Sequence, residues 1–415
     1  MLSLLARSLP SPHASLLPFL GTSSRLHPAT CLGTRAWPSE RWRGSYCSAV
    51  GTPLPRAPEH GECIYLPRLP GDDPDLAGAA TPSAARVRMR CERRGRTDNH
   101  AIMARRRAEG AASSPLPHVV TSTVEHPAVV ECLRFLAAAG RLDVSWVRVD
   151  GTGRVCAREV AAAVTPHTIL VTIMHSNNEV GAVQPVAEIV RRVRTHSARP
   201  SALVHTDAAQ SAGKLPLDVR ELGVDMLTLV GHKLGAPKGV AALYVRRPLR
   251  LGSLLHGGAQ EGGRRAGTEA VLLLVALGEA ARIAREELAL ASAHMARTRE
   301  RLAALLVGGL GAATVRVHGP AEASHRLPNT LSIGIKGVRA AELLATLEDR
   351  VAASAGAACH SDDPPSVSPV LAAMGVPEEY AIGTLRLSTG RHTTMEEVEK
   401  AAALIIAEVK RQRRT

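Results

Sequence analysis

Val204 to Lys238 reads VHTDAAQSAGKLPLDVRELGVDMLTLVGHKLGAPK. An apolar run ends at Asp207, a polar helical stretch follows, and a second apolar run, Met226 to Val230, ends in Gly231-His232-Lys233. Strand, crossover, strand is the pattern, and such crossovers are right-handed almost without exception, so the two strands belong to one parallel sheet. Both polar clusters then emerge at the carboxyl ends of strands, where open α/β sheets bind their ligands.

The same alternation continues on both sides. His118 to Ser122, Val144 to Val149, Thr168 to Met174 and Val240 to Val245 read as strands, with helices at Ala128 to Ala138, Ala157 to Val164 and Val186 to Val193. This predicts an α/β fold with a doubly wound, mostly parallel sheet. Ala270 to Leu305 is a long helical stretch. Beyond it, strands near 314–318, 330–335, 351–354 and 384–388 and helices at 339–348 and 394–411 predict a smaller C-terminal α+β domain. The expected division is therefore a leader over 1–97, a large domain over 98–269, and a linking helix with small domain over 270–415.

Composition narrows the function classes. The chain of 415 residues is 45% hydrophobic yet only 2% aromatic, so its core is built from Ala, Val and Leu. A net charge of +13 raises the question of nucleic acid, but the first 97 residues hold 13 Arg against 7 acidic residues, and no basic patch with interleaved aromatics follows. No nucleic-acid partner is expected. No apolar run reaches the roughly 18 residues that span a bilayer, so no membrane partner is expected either. The seven cysteines carry no C-x-x-C and no zinc spacing, and the pattern suits a reducing compartment. The expected location is the cytoplasm. Met1 to Arg35, rich in Ser, Leu and Arg and free of acids, makes the mitochondrion the alternative, although Pro10, Pro12 and Pro18 interrupt any amphipathic helix there.

A carboxylate and a lysine facing one crevice suit pyridoxal 5'-phosphate, whose pyridinium nitrogen wants an acid and whose aldehyde wants an amine. The chain has six lysines: 214, 233, 238, 336, 400 and 410. Only Lys233 ends a buried strand, where desolvation can lower its pKa toward a usable nucleophile. As bare spacing the pattern is weak, because many βαβ units carry an Asp and a Lys.

The full wording is stronger. VEHPAV, HSNNEVGAVQP, VHTDAAQSAGK, VGHK, GGAQEGGRRAGT, RLPNTLS, GAACHSD and LRLSTGR occur in this order between residues 98 and 415. The chain resembles the cysteine desulfurase and selenocysteine lyase family, enzymes with the type I pyridoxal-phosphate (aspartate aminotransferase-like) fold. Val230 before Gly-His-Lys and His360 after Cys359 fit the selenocysteine lyase branch better. The resemblance implies that Lys233 carries the cofactor as a Schiff base and that Asp207 holds the pyridinium proton. It further implies that Gln210 donates to the phenolic oxygen and that His126 stacks on the ring and shuttles protons. Asn178 would contact cofactor and substrate; His232 and Thr268 would bind phosphate, Thr268 from a second subunit of a homodimer. Arg386 would clamp the substrate carboxylate through its fork of donors. Cys359 would act on the departing chalcogen, with His360 beside it lowering the thiol pKa.

The implied reaction splits L-selenocysteine into L-alanine and selenide or elemental selenium, with a selenium-accepting protein as a further partner. A cysteine desulfurase acting on L-cysteine is one alternative, and a catalytically impaired homologue acting as a dimerising or binding protein is another. The second alternative rests on departures from the family's pattern. Its first strand is not recognisable, and Arg93-Arg94-Gly95-Arg96-Thr97 stands where the phosphate loop belongs. Weakened phosphate anchoring is expected from that loss.

Overall fold

The computed structural model describes residues 87–90, 98–103, 115–195, 198–355 and 367–414. Seven strands make the large sheet: β1 (Val87–Arg90), β2 (His118–Ser122), β3 (Asp143–Val147), β4 (Thr168–Thr172), β5 (Leu203–Asp207), β6 (Met226–Val230) and β7 (Ala241–Val245). Their spatial order is β1-β7-β6-β5-β4-β2-β3. From β3 to β6 every pairing is parallel, while β7 and β1 are antiparallel. Strand β1 lies inside the span that the sequence assigns to the leader. A strand of four residues leaves little periodicity to read, and its place is fixed by pairing with β7.

The parallel strands are apolar on both sides because helices cover both faces of such a sheet. Strands β2, β4 and β5 are buried throughout. Neighbouring residues therefore enter different cores: Val120, Val171, Val204 and Leu227 face one cluster, and Val119, Leu170, Leu203 and Met226 face the other. The first cluster is closed by α3 (Val186–Thr195), which follows α1 (Pro127–Ala138) and α2 (Ala157–Ala162). Its buried residues Val186, Ile189, Val190 and Val193 recur at the spacing of one helical face, while arginines occupy the other. The opposite cluster takes Leu133 and Leu136 from α1. Truncating one of these leucines to Ala should cost about 2–5 kcal/mol.

After α4 (Val219–Leu222) and the single turn α5 (Gly231–Leu234), the helix α6 (Val271–Leu310) runs for 40 residues. Its C-terminal half joins the second core. There Leu302, Leu306 and Leu310 pack on β9 (Thr330–Ile335) and on the C-terminal helix. The small sheet is antiparallel in the order β10-β9-β8, with β8 at Val315–His318 and β10 at Thr384–Ser388. The strand expected near 351–354 is not formed: that segment meets β10 at one bridge, Ser354 to Arg386. Helix α7 (Ala340–Leu347) precedes it, and α8 (Pro369–Ala373) and α9 (Glu378–Ala381) lie before β10. The last helix, α10 (Met395–Gln412), begins with a reciprocal capping box between Thr394 and Glu397.

A further cluster ties the site end of the large sheet to the C-terminal region. Val124, Met174, Val180 and Ala182 pack against Val370, Leu371, Met374 and Ala381. Among the described residues no helix is long and apolar enough to cross a membrane.

Candidate active site

The carboxyl ends of β2, β4, β5 and β6 all deliver polar residues to one edge of the sheet. Asp207 ends β5 and is 1% exposed. Its Oδ1 accepts the Ala209 N–H at 2.9 Å, so the carboxylate caps its own turn as well as facing the sheet edge. The Asp207 carbonyl accepts the His175 N–H at 2.8 Å, which joins the β5 end to the segment after β4. That segment, His175 to Glu179, is folded back by Gly181 at φ +73°, where a side chain would meet Thr330. Asn177 then pins it: Oδ1 accepts the N–H groups of Glu179 (2.8 Å) and Val180 (2.9 Å), and Nδ2 donates to the Val124 carbonyl at 3.1 Å.

Asn178, half-buried, presents its carbonyl to Nη1 of Arg386 at 2.9 Å. The structure therefore brings Asn178 and Arg386 together across 208 residues of chain. An Arg in an apolar strand needs such a partner.

Glu125 and His126 follow β2. Glu125 is buried; its Oε1 accepts the Ser122 hydroxyl at 2.6 Å, and both oxygens accept the Met174 N–H at 3.0 and 3.1 Å. The carboxylate thus fastens the turn bearing His126 to the end of β4. His126 is the N-cap of α1, with Pro127 in the first helical turn, and its Nδ1 accepts the Ala128 N–H at 3.1 Å. That bond leaves the proton of the neutral ring on Nε2.

Lys233 and His232 lie on the single turn α5 directly after β6, and Asp207 pairs in register with Thr228 of that strand. Lys233 and Asp207 therefore stand at the ends of adjacent strands. Burial does not single out Lys233, however. Its side chain and that of His232 are exposed, and the desolvated lysine is Lys214. Lys214 gives an N–H to the Gln210 carbonyl at 2.8 Å, and burial, with the charge of Lys233 close by, pushes it down to about 8. Lys214 follows a polar stretch and not an apolar run, so no strand end marks it in the sequence.

Two histidines behind the edge were also missed. His205 is fully buried, its ring nitrogens meeting Thr172 Oγ1 at 2.9 Å and Thr228 Oγ1 at 3.0 Å. His175 meets the Ser211 hydroxyl at 2.7 Å. Burial pushes both down to about 4, so both are neutral at pH 7. Strand alternation is the signal that could have found His205, which lies two residues before Asp207.

Thr268 is exposed on the Gly-rich loop, and no described contact joins it to these strand ends. Cys359, His360 and the Arg93–Thr97 segment lie outside the described residues.

The donor set suits pyridoxal phosphate: a buried carboxylate and a primary amine on adjacent strand ends, a second amine nearby, and a histidine on the flanking turn. A mostly parallel sheet with such a set at its carboxyl edge, followed by a smaller antiparallel domain, defines a type I pyridoxal-phosphate fold. The aminotransferase class-V family model matches residues 94–401. A selenocysteine lyase of Bos taurus is 42% identical over 295 residues, covering 68% of this chain and 67% of that protein. A cysteine desulfurase of Trichormus azollae is 40% identical over 319 residues, 76% of each chain. The solved structure of a NifS-like protein superposes with a TM-score of 0.67 at 32% identity, covering 77% of this chain and 81% of that one. The chain belongs to the class-V aminotransferase family, whose desulfurase and selenocysteine lyase members are pyridoxal-phosphate-dependent.

Proposed function

We propose that this protein is a pyridoxal-phosphate-dependent lyase that cleaves the Cβ–Se bond of L-selenocysteine, leaving L-alanine and elemental selenium, or selenide where a two-electron reductant is present. The observation that carries the reading is the contact of Arg386 with Asn178, on the segment whose His175 N–H is held by the Asp207 carbonyl, with Lys233 at the end of the adjacent strand, in a chain 42% identical to a selenocysteine lyase. When bound, the cofactor supplies an electron sink for charge developing on the substrate's α-carbon.

The chain's own residues do the rest. Asp207 sets a carboxylate where a pyridinium proton is held, and Lys233 is the amine that retains the cofactor. Gln210, Asn178, His232 and His126 complete its surroundings. With its proton on Nε2, His126 has a donor to present and Nδ1 occupied by the helix. Arg386, oriented by the Asn178 carbonyl, is the group for the substrate carboxylate. Cys359, with His360, is assigned to the departing selenium: the electron pair of the Cβ–Se bond stays with Cβ, which takes a proton to become the methyl group of alanine, and selenium leaves at the elemental level.

Cysteine desulfurase is the second reading, favoured by 40% identity to the Trichormus azollae enzyme. The protein acts as a homodimer in this proposal. Val271, Leu272 and Val275 are exposed at the start of α6, next to the loop carrying Thr268, and they form the apolar face that a second copy would cover.

Alanine release from L-selenocysteine and L-cysteine by the cofactor-loaded protein tests the substrate. Faster turnover of selenocysteine, lost in Cys359→Ser, supports the proposal. Faster turnover of cysteine establishes the desulfurase reading, and no turnover of either establishes an impaired homologue. Borohydride reduction and peptide mapping should place the cofactor on Lys233; a label on Lys214 overturns that assignment.

A further inference from the structure

Away from the strand ends, a cavity of about 550 Å³ lies between α6 and the segments 215–216 and 323–328. Leu215, Leu288 and Ala296 give it an apolar wall, and Arg285, Arg299 and Arg326 give it a cationic one. Its size and lining are those of a small-molecule pocket, mostly apolar with a few convergent polar groups.

Charge around the cavity does not balance. Glu286 also lines it, but its Oε2 is 2.5 Å from Arg282 and its Oε1 is 3.6 Å from Arg285. Arg299, 5% exposed, pairs with Glu300 at 2.9 Å and gives an N–H to the Leu327 carbonyl at 3.1 Å. Glu322 is held by His325 at 2.9 Å. Arg326 remains. It is 9% exposed, Nη2 donates to the His318 carbonyl at 3.0 Å, and the buried Nε–H meets no acceptor. Among the described residues it forms no ion pair. Burial, with Arg299 close by, pushes its guanidinium down to about 10, and the Glu300 carboxylate, engaged by Arg299, offsets this only in part.

A buried cation without a counter-ion is costly. Clamping the turn at His318 explains one donor, whereas a guanidinium supplies five. We propose that the cavity binds a small organic anion, a carboxylate or phosphate ester, with its head on Arg326 and Arg299 and its apolar body against Leu215, Leu288 and Ala296. The segment that carries Arg326 pairs with Ala182, a few residues beyond Asn178, so the cavity adjoins the loop of the candidate active site without sharing its residues.

Benzoate and its uncharged isostere benzamide, titrated calorimetrically into the cofactor-loaded protein at constant ionic strength, test this. Benzoate should bind at least about tenfold more tightly than benzamide, the effect of one charge-assisted hydrogen bond. Arg326→Gln should weaken benzoate by a similar factor, and Arg386→Lys should leave it unchanged, which separates the cavity from the substrate-carboxylate position. Ala293→Phe fills the cavity from an exposed rim position, should also abolish binding, and carries the test if Arg326→Gln does not fold. Equal affinity for the two probes, unchanged benzoate binding in Arg326→Gln or in a folded Ala293→Phe, or loss in Arg386→Lys would overturn the proposal.

Discussion

Two aspartates sit at opposite ends of the same pair of strands, equally buried and differently served. Asp225, just before β6, is ion-paired by two arginines of the chain itself. One oxygen is held by Arg194 and by the Val204 N–H at 2.7 Å, and Arg246 lies 2.5 Å from the other. Asp207, at the far end of β5, spends Oδ1 on its own turn and lies close enough to the neutral His205 to act on its charge. A buried carboxylate with two guanidiniums is a latch. One placed at a strand end beside an amine, near neutral histidines, suits the cationic ring proposed for it. Residue type and burial alone do not distinguish the two; the neighbours do.

The largest expected effect breaks the latch. Asp225→Ala removes both ion pairs and orphans the Val204 N–H, and should cost about 3–5 kcal/mol. Urea unfolding of the cofactor-free protein measures this, and a loss below 1 kcal/mol would show that the latch does not hold the strands. Asp207→Asn is the converse. It should leave urea stability close to wild type and lower turnover by about 100-fold, the scale of one lost electrostatic partner in a water-excluded site. If Asp207→Asn unfolds the protein, Asp207 is a latch as well.

A third test sharpens the contrast through pH. The folded-state pKa values of His175 and His205 are lowered from 6.5 to about 4, so between these values the unfolded chain binds more protons than the folded one. Stability is therefore fully present above pH 6.5 and falls as pH drops toward 4. His205→Gln should flatten part of that slope. An unchanged slope in the variant would place the acid sensitivity elsewhere.

The smallest effect calibrates the first. Arg192 and Glu188 form an ion pair at 2.8 Å on the exposed face of α3. Arg192→Ala should change stability by about 0.5 kcal/mol or less, because solvent screens such pairs. A loss comparable to that of Asp225→Ala would mean that burial is not what gives the latch its strength.

Much of this was legible in the chain. The run Val204 to Lys238 determines two parallel strands with polar carboxyl ends, because period, length and crossover geometry are local properties. Family wording adds Asn178 and Arg386, which the structure brings into contact. Strand β1 was not legible, since four residues carry too little pattern and their place depends on β7. The expected strand at 351–354 failed for the complementary reason: an extended sequence becomes a strand only where a neighbour offers a full ladder.

The site shows the same division. Sequence by itself determined which residues stand at strand ends, because alternation and turn chemistry act over a few residues. Only the tertiary structure decided the electrostatics. Lys214 rather than Lys233 loses its water, His175 and His205 become neutral, Arg194 and Arg246 reach Asp225, and Arg326 is left without an ion pair among the described residues. Desolvation and charge pairing depend on what packs across a gap, and the residues that meet there are tens to hundreds of positions apart in the chain.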